Sequence, residues 1–185
     1  MLGGGTAGAG RLDETRAGVD FGYQTRTGSG VSAFVSGSAV AVDDTDGANR
    51  DGSLYTIEAG ISRAFGARGT LGFVLSGENY DAAREDFSYT SLEARLTHEI
   101  DITGGISLSS SAFVETYDQD TATPGFPDTR QETEYGVDFR AEKTDLFIAG
   151  RFTPYVEVGA SRRESSFEAY SYDDLRFGAG IESAF

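Results

Sequence analysis

Apolar and polar residues alternate with a period of two along most of the chain, the pattern of β-strands with two unlike faces. Near the start, Val19, Phe21 and Tyr23 form an apolar stripe, with Asp20 and Gly22 between them. Similar runs continue to the C-terminal residue, separated by clusters of Gly, Asp and Ser. The pattern predicts nine antiparallel strands. In the second, within 31–42, apolar residues occupy both parities, so its two faces stay unassigned.

Strand length separates two classes of all-β protein. The strands of soluble sandwiches average about 5–6 residues, whereas the alternating runs here have roughly 11–15. At about 3.3 Å per residue and a tilt near 45°, about 11 residues cross the apolar band of roughly 25 Å in an outer membrane. We therefore predict an all-β fold, an antiparallel up-and-down transmembrane β-barrel of about 8–10 strands.

The predicted connections alternate in length, which sets the direction of the strands. The short ones are 27–30, 66–69, 101–105 and 143–145, and the long polar ones are 43–53, 79–87, 117–131 and 162–172. Short periplasmic turns and longer external loops are typical of these barrels. The last strand then runs down to the periplasm, and the first of nine strands would also run down.

An odd count is unusual, because single-chain bacterial barrels have an even number of strands with both ends in the periplasm. Three alternatives follow. The glycine-rich segment Leu2–Arg11 forms a tenth strand, the chain is the C-terminal part of a larger barrel, or one strand is split wrongly and the count is eight. Ten strands or a fragment is favoured. The domain prediction is a glycine-rich segment at 1–14 followed by a barrel at 15–185.

Composition excludes several classes of function. The formal net charge of −15 leaves no basic surface for a nucleic-acid backbone. There is no cysteine, so disulfides and thiolate metal sites are impossible. No apolar run approaches the roughly 20 residues of a membrane-spanning helix. A search for such runs does not detect barrel strands, because their alternating polar residues lower the mean hydropathy.

The polar parity carries most of the charged residues and is the candidate functional surface. We interpret it as a charged network that faces the barrel lumen, either filling it or lining a narrow path that prefers cations. Its predicted members are Asp20, Glu58, Glu78, Glu93, Arg95, Glu115, Asp138, Arg140, Glu157, Arg176 and Glu182.

Other candidates favour structural roles. His98 is the single histidine, but it shares parity with Leu96 and Ile100 and is predicted to face lipid near a short turn, as is Arg63. The segment 44–51 spaces oxygen ligands like a calcium loop but lacks the closing Glu, so an acidic hairpin loop is predicted. Aromatic residues near the strand ends predict two interfacial girdles. They are Tyr23, Tyr55, Phe65, Tyr135, Phe152 and Phe185.

The C-terminal segment 175–185 resembles the last strand of Gram-negative outer-membrane proteins, with Phe177, Ala179, Ile181 and Phe185 on one parity and Ser183 where an apolar residue is usual. In that superfamily the barrel assembly machinery recognises this strand. The segment 153–159 also looks like the penultimate strand of autotransporter translocators. The resemblance implies an outer-membrane location with lipid, lipopolysaccharide and the assembly machinery as partners, and external loops open to protein partners.

Two functions follow as expectations. The first is a non-enzymatic outer-membrane barrel, either structural and surface-exposed or a narrow passive channel. The alternative is the translocator barrel of an export system, autotransporter-like or a surface-lipoprotein exporter. No nucleophile and base come together in the pattern, so neither catalytic residues nor a cofactor or metal site are expected.

Overall fold

The computed structural model of the protein describes residues 14–44, 51–122, 128–145 and 152–183. These residues form nine strands of 12–14 residues each. They are β1 Glu14–Arg26, β2 Val31–Asp44, β3 Gly52–Phe65, β4 Gly69–Ala82, β5 Tyr89–Ile102, β6 Ile106–Gln119, β7 Gln131–Lys143, β8 Phe152–Ser165 and β9 Tyr172–Ser183. A 14-residue strand is about 46 Å long and, tilted near 45°, about 33 Å high, enough to cross an apolar band of roughly 25 Å.

The strands form a single sheet in sequence order, each antiparallel to the next. The predicted all-β, antiparallel up-and-down architecture is therefore confirmed. Within the described ranges β1 and β9 do not pair with each other. Each strand is antiparallel to the next, and β9 is eight steps from β1, so β1 and β9 run in the same direction. Antiparallel closure would need an odd number of further strands; Leu2–Arg11, predicted as one, lies outside the described residues.

The two ends of the sheet have different connections. At one end, here the short-turn end, β1–β2, β3–β4 and β5–β6 are joined by 27–30, 66–68 and 103–105. In the last of these turns Gly104 (φ 87°) and Gly105 (φ 66°) adopt a left-handed backbone that a side chain would disfavour. At the other end, here the long-loop end, the connections include two 3₁₀ turns, Glu85–Phe87 and Glu168–Tyr170. None of the described helical segments is long and apolar enough to cross a membrane.

The strands extend further toward the long-loop end than predicted. The segments 79–82 and 162–165, assigned to loops from their polar residues, belong to β4 and β8. Ladder hydrogen bonds do not depend on side-chain polarity, so pairing continues past the apolar band into water. At the short-turn end β7 ends at Lys143, one residue into the predicted connection 143–145. β8 is described from Phe152; Leu146 and Ile148, predicted for that strand, lie outside the described residues.

Register also assigns the faces of β2, which the pattern left open. Val35 pairs with Tyr23 and Ala59, so it shares their apolar face. Phe34 pairs with Gln24 and Gly60 on the opposite, polar face. Gly60 leaves the space that the Phe34 ring occupies, because a Cβ there would overlap the ring. An aromatic residue can therefore lie on the polar side of the sheet at no cost in packing.

The large apolar side chains of the described strands lie mostly on one exposed face of the sheet rather than in a core. Among the described residues, Val42 and Ala82 are the buried apolar side chains, and no side chain is less than 2% exposed. By contrast Phe177 is 76% exposed, Val19 72% and Ile181 69%. A continuous apolar surface this large is unstable in water and marks a surface that another apolar phase covers.

Candidate functional site on the polar face

The strand register places all eleven predicted lumen residues on one face of the sheet, here the polar face. The register row through Glu58 shows the order: Glu58 pairs with Ser76, and Ser76 with Glu93. Contacts between these side chains divide the face into two sectors. Strands β1–β6 form the acidic sector, and β7–β9 form the arginine sector.

Residues of the acidic sector line an open cavity of about 540 Å³. Small residues such as Gly22, Ser36 and Ser76 make its floor. Five carboxylate side chains line it, from Asp20, Glu58, Glu78, Glu93 and Glu115. Four of these, all except Glu93, have no ion pair with a base in the described part of the chain. The cavity is thus a polar space with an excess of negative charge.

Arg95 on β5 lies at the boundary of the two sectors. Its guanidinium donates to both carboxylate oxygens of Glu93 at 2.7 Å, and its Nη1 lies 3.9 Å from Asp138 on β7. It also lies over the Phe113 ring, 4.7 Å from the centroid. Asp138 in turn accepts a hydrogen bond of 3.1 Å from Arg176 on β9. This chain of contacts spans five strands and joins the sectors.

The centre of the arginine sector is Arg140. Its Nε donates to Glu142 at 2.6 Å, its Nη2 lies 2.6 Å from Glu182 on β9, and its Nη1 lies 3.7 Å from Glu157 on β8. The guanidinium lies 3.8 Å from the centre of the Tyr155 ring. One cation therefore connects three strands, and each neighbouring carboxylate has a counter-charge.

A second arginine cluster, which the sequence did not predict, lies at the long-loop end of β7–β9 and is here called the rim cluster. Arg163 donates to Glu134 at 2.5 Å through Nη2 and to Glu132 at 3.2 Å through Nη1. The Glu132 side chain is 3% exposed, and Arg130 lies 3.2 Å from its other oxygen. Tyr172 packs under Arg163, with 5.2 Å between the ring centroid and Cζ.

The pattern contained a signal for this cluster. Glu132 and Glu134 share the parity of Asp138 and Arg140, so extending the alternation past the apolar residues places them on the polar face. Arg163 was missed because 162–172 was assigned to a loop. Its pairing with Glu134 follows from the β7–β8 register, which the sequence does not specify.

The apolar face holds the predicted assembly signal and girdle. On β9, Phe177, Ala179 and Ile181 lie on the apolar face and alternate with residues that lie on the polar face. Phe185 lies outside the described residues. Four predicted girdle residues are exposed there, namely Tyr23, Tyr55, Phe65 and Tyr135. For Phe152, the fifth, the structure describes the backbone alone. His98 and Arg63 are also on this face, as their pairing with Leu71 shows.

In the loops, one hydrogen bond between charged side chains shifts a pKa. In the β4–β5 loop, Arg84 Nε donates to Asp86 Oδ1 at 2.9 Å, and this hydrogen bond lowers the pKa of the Asp86 carboxyl below its ordinary value. Across the described ranges, no three His, Asp or Glu side chains are grouped so that they could hold a metal ion. Most of the predicted acidic loop 44–51 lies outside these ranges.

Comparison with known proteins bears on the fold. The chain is similar to the crystal structure of the β domain of the Bordetella autotransporter BrkA, with a TM-score of 0.55 and 17% identity. The match covers 93% of this chain and 79% of that one. No protein-family profile and no curated protein matches the sequence. At this identity the likeness shows the fold, that of an autotransporter β domain.

Proposed function

We propose that this chain is a β-barrel domain of a Gram-negative outer membrane and that it acts as the translocator of an export system. The observation that carries the membrane location is the reversed distribution of residues: large apolar side chains on the outer face and ions on the inner face. In water this arrangement exposes apolar surface, whereas in a bilayer it buries that surface and keeps the ions from lipid.

The fold favours export over a purely structural role. A solved structure similar to this chain is the β domain of an autotransporter. A translocating barrel needs a hydrophilic wall with small side chains, along which an extended polypeptide can move. The acidic sector provides such a wall, because Ser, Thr and Gly separate its carboxylates. On this proposal the protein is not an enzyme, and Phe177, Ala179 and Ile181 present the terminal strand to the barrel assembly machinery.

The first experiment tests membrane insertion. The purified chain is refolded with and without neutral detergent and run unheated and heated on a gel. We expect a compact band that shifts on heating only when detergent was present. A chain that stays folded and monomeric in buffer alone would disprove the membrane location.

The second experiment tests export. A reporter peptide carrying a protease site is fused upstream of the chain behind an export signal, and its exposure at the cell surface is measured by added protease. We expect exposure from the wild-type fusion and none from a Phe177→Ser/Ile181→Ser variant, because polar residues on the lipid side oppose insertion. A heat-modifiable, inserted wild type that leaves the reporter inside would contradict the translocator role alone.

A narrow cation-preferring channel is the second candidate, and the acidic cavity favours it. Four unpaired carboxylates around an aqueous space raise the local concentration of cations. Conductance in planar bilayers separates the two functions. A translocator whose lumen is closed at rest gives little current, and an open channel gives a steady current that carries more cation than anion.

A further inference from the structure

Charged residues on the apolar face are distributed unevenly between its two ends. The described acidic side chains of this face all lie at the long-loop end: Asp43, Asp81, Asp118, Glu164 and Asp173. At the short-turn end the charged or titratable side chains are instead Arg63, His98 and Lys143. In a chain of net charge −15, this basic margin is unexpected from composition.

Arg63 on β3 is the strongest member of this margin. It pairs across the sheet with Val31 and Leu71 and is exposed. Within the described residues its guanidinium has neither an ion pair nor a hydrogen bond. Lys143 differs, because it pairs with Asp145, two residues further along the chain, and donates to the Gly104 carbonyl of the β5–β6 turn. An arginine surrounded by apolar side chains at a membrane margin is stable when an anion of the interface accepts its hydrogen bonds.

His98 on β5 lies in the same register row as Arg63, with Leu71 between them. Two strand spacings separate the backbones by about 10 Å, a gap that two long side chains can close around one phosphate. Phe65 stacks on the imidazole, with 5.6 Å between ring centroids and 14° between planes. Stacking occupies one face of the imidazole and does not use its ring nitrogens, and the side chain is half-buried. Within the described ranges it has no hydrogen-bond partner.

An apolar groove of about 370 Å³ begins beside His98. Its outward wall includes Leu108, Phe139, Val156 and Val158, with the small Ser110 between His98 and Phe139 in the register. The groove is therefore a depression in the apolar face that begins at His98, two strands from Arg63. An apolar groove beside donors for an anion matches a phospholipid, which has an apolar acyl chain and an anionic phosphate.

We propose that Arg63 and His98 bind the phosphate of an anionic phospholipid, with one acyl chain in the adjoining groove, in the leaflet nearer the short turns. The inference rests on the proposed membrane location. The acidic residues of the opposite margin repel the same headgroups, so the site also gives the barrel a preferred orientation between unlike leaflets.

Native mass spectrometry of the folded protein in neutral detergent tests this site. The protein is titrated with dioleoylphosphatidylglycerol and, separately, with dioleoylphosphatidylcholine. We expect the wild type to bind the anionic lipid more tightly, Arg63→Gln to bind it roughly fivefold more weakly, and the Arg63→Gln/His98→Leu double variant to lose the preference. Arg162→Gln is the matched control, because it removes an outward arginine at the other margin, where Glu164 pairs with it at 3.2 Å.

Three results would overturn the proposal. These are equal binding of both lipids by the wild type, an equal loss in Arg162→Gln, and full displacement of the anionic lipid by millimolar inorganic phosphate, which would mean a free-anion site. Heat-modifiable migration is checked in every sample. A wild type that is heat-modifiable but shows no lipid preference refutes the site alone, whereas a wild type that needs no detergent refutes both site and membrane location.

Discussion

The two sectors of the polar face handle charge in opposite ways. In the arginine sector, Arg140, Arg163 and Arg176 each contact at least two carboxylates, so every guanidinium joins strands. In the acidic sector, Asp20, Glu58, Glu78 and Glu115 face a cavity without a base of their own. Ion pairs between strands stabilise the sheet, whereas carboxylates without an ion pair need water or mobile cations nearby. The pairing of ions therefore favours a stabilising role for β7–β9, and the proposed transport role would fall to β1–β6.

The largest expected effect comes from the rim cluster. Arg163→Met leaves Glu134 without its cation and Glu132, whose side chain is 3% exposed, with Arg130 alone. We expect the free energy of unfolding in detergent to fall by about 3 kcal/mol. Urea titration measures it. Arg162→Met, one residue away and exposed on the other face, is the control and should change stability by less than about 0.5 kcal/mol.

Arg140→Met tests the centre of the arginine sector. Its partners are more exposed than Glu132, Glu182 at 58% and Glu157 at 47%, so we expect a smaller loss of about 2 kcal/mol. Glu58→Gln is the matched change in the acidic sector and should be neutral or slightly stabilising, since it removes like-charge repulsion. Equal losses of unfolding free energy in the two variants would contradict the view that the arginine sector stabilises the sheet and the acidic sector does not.

Ion selectivity tests the role of the acidic sector. If a current is observed, Glu58→Gln/Glu78→Gln should lower the cation-to-anion permeability ratio by about twofold or more, because both carboxylates face the cavity. The Glu142→Gln variant should leave the ratio close to the wild-type value, since Arg140 already neutralises that carboxylate at 2.6 Å. Reversal-potential measurements under a salt gradient distinguish the two results.

The smallest effect concerns the loop above the acidic sector, where Arg84 bonds Asp86. This bond lowers the pKa of Asp86 in the folded protein. Its contribution to stability is therefore complete above the unfolded pKa of about 3.9 and is lost as the pH falls through the folded value. Carbon-detected NMR titration should show the pKa of Asp86 rising in Arg84→Gln. An unchanged titration curve would show that the pair does not persist in solution.

Much of this architecture could be read from alternation, because a strand between lipid and water must repeat every second residue. The same rule located Arg140 and Glu182 on one face. It failed for β2, where Phe34 lies inward over Gly60, since an aromatic ring and a glycine can complement each other on a polar face. It also ended β8 too early, because the strand continues as far as Ser165 in water, where side-chain polarity no longer marks the pairing.

The fold class, the antiparallel strand order and the face of each charged residue in the clearly alternating strands could all be predicted from the sequence. Periodicity and loop length are local properties, so they can be read along one dimension. Which charges come into contact could not be predicted and is seen only in the folded sheet. The contact between Arg163 and Glu134 depends on the β7–β8 register, and that between Arg176 and Asp138 also requires Gly159 between them to leave space. Register and close approach are relations between distant segments, and alternation is compatible with several of them.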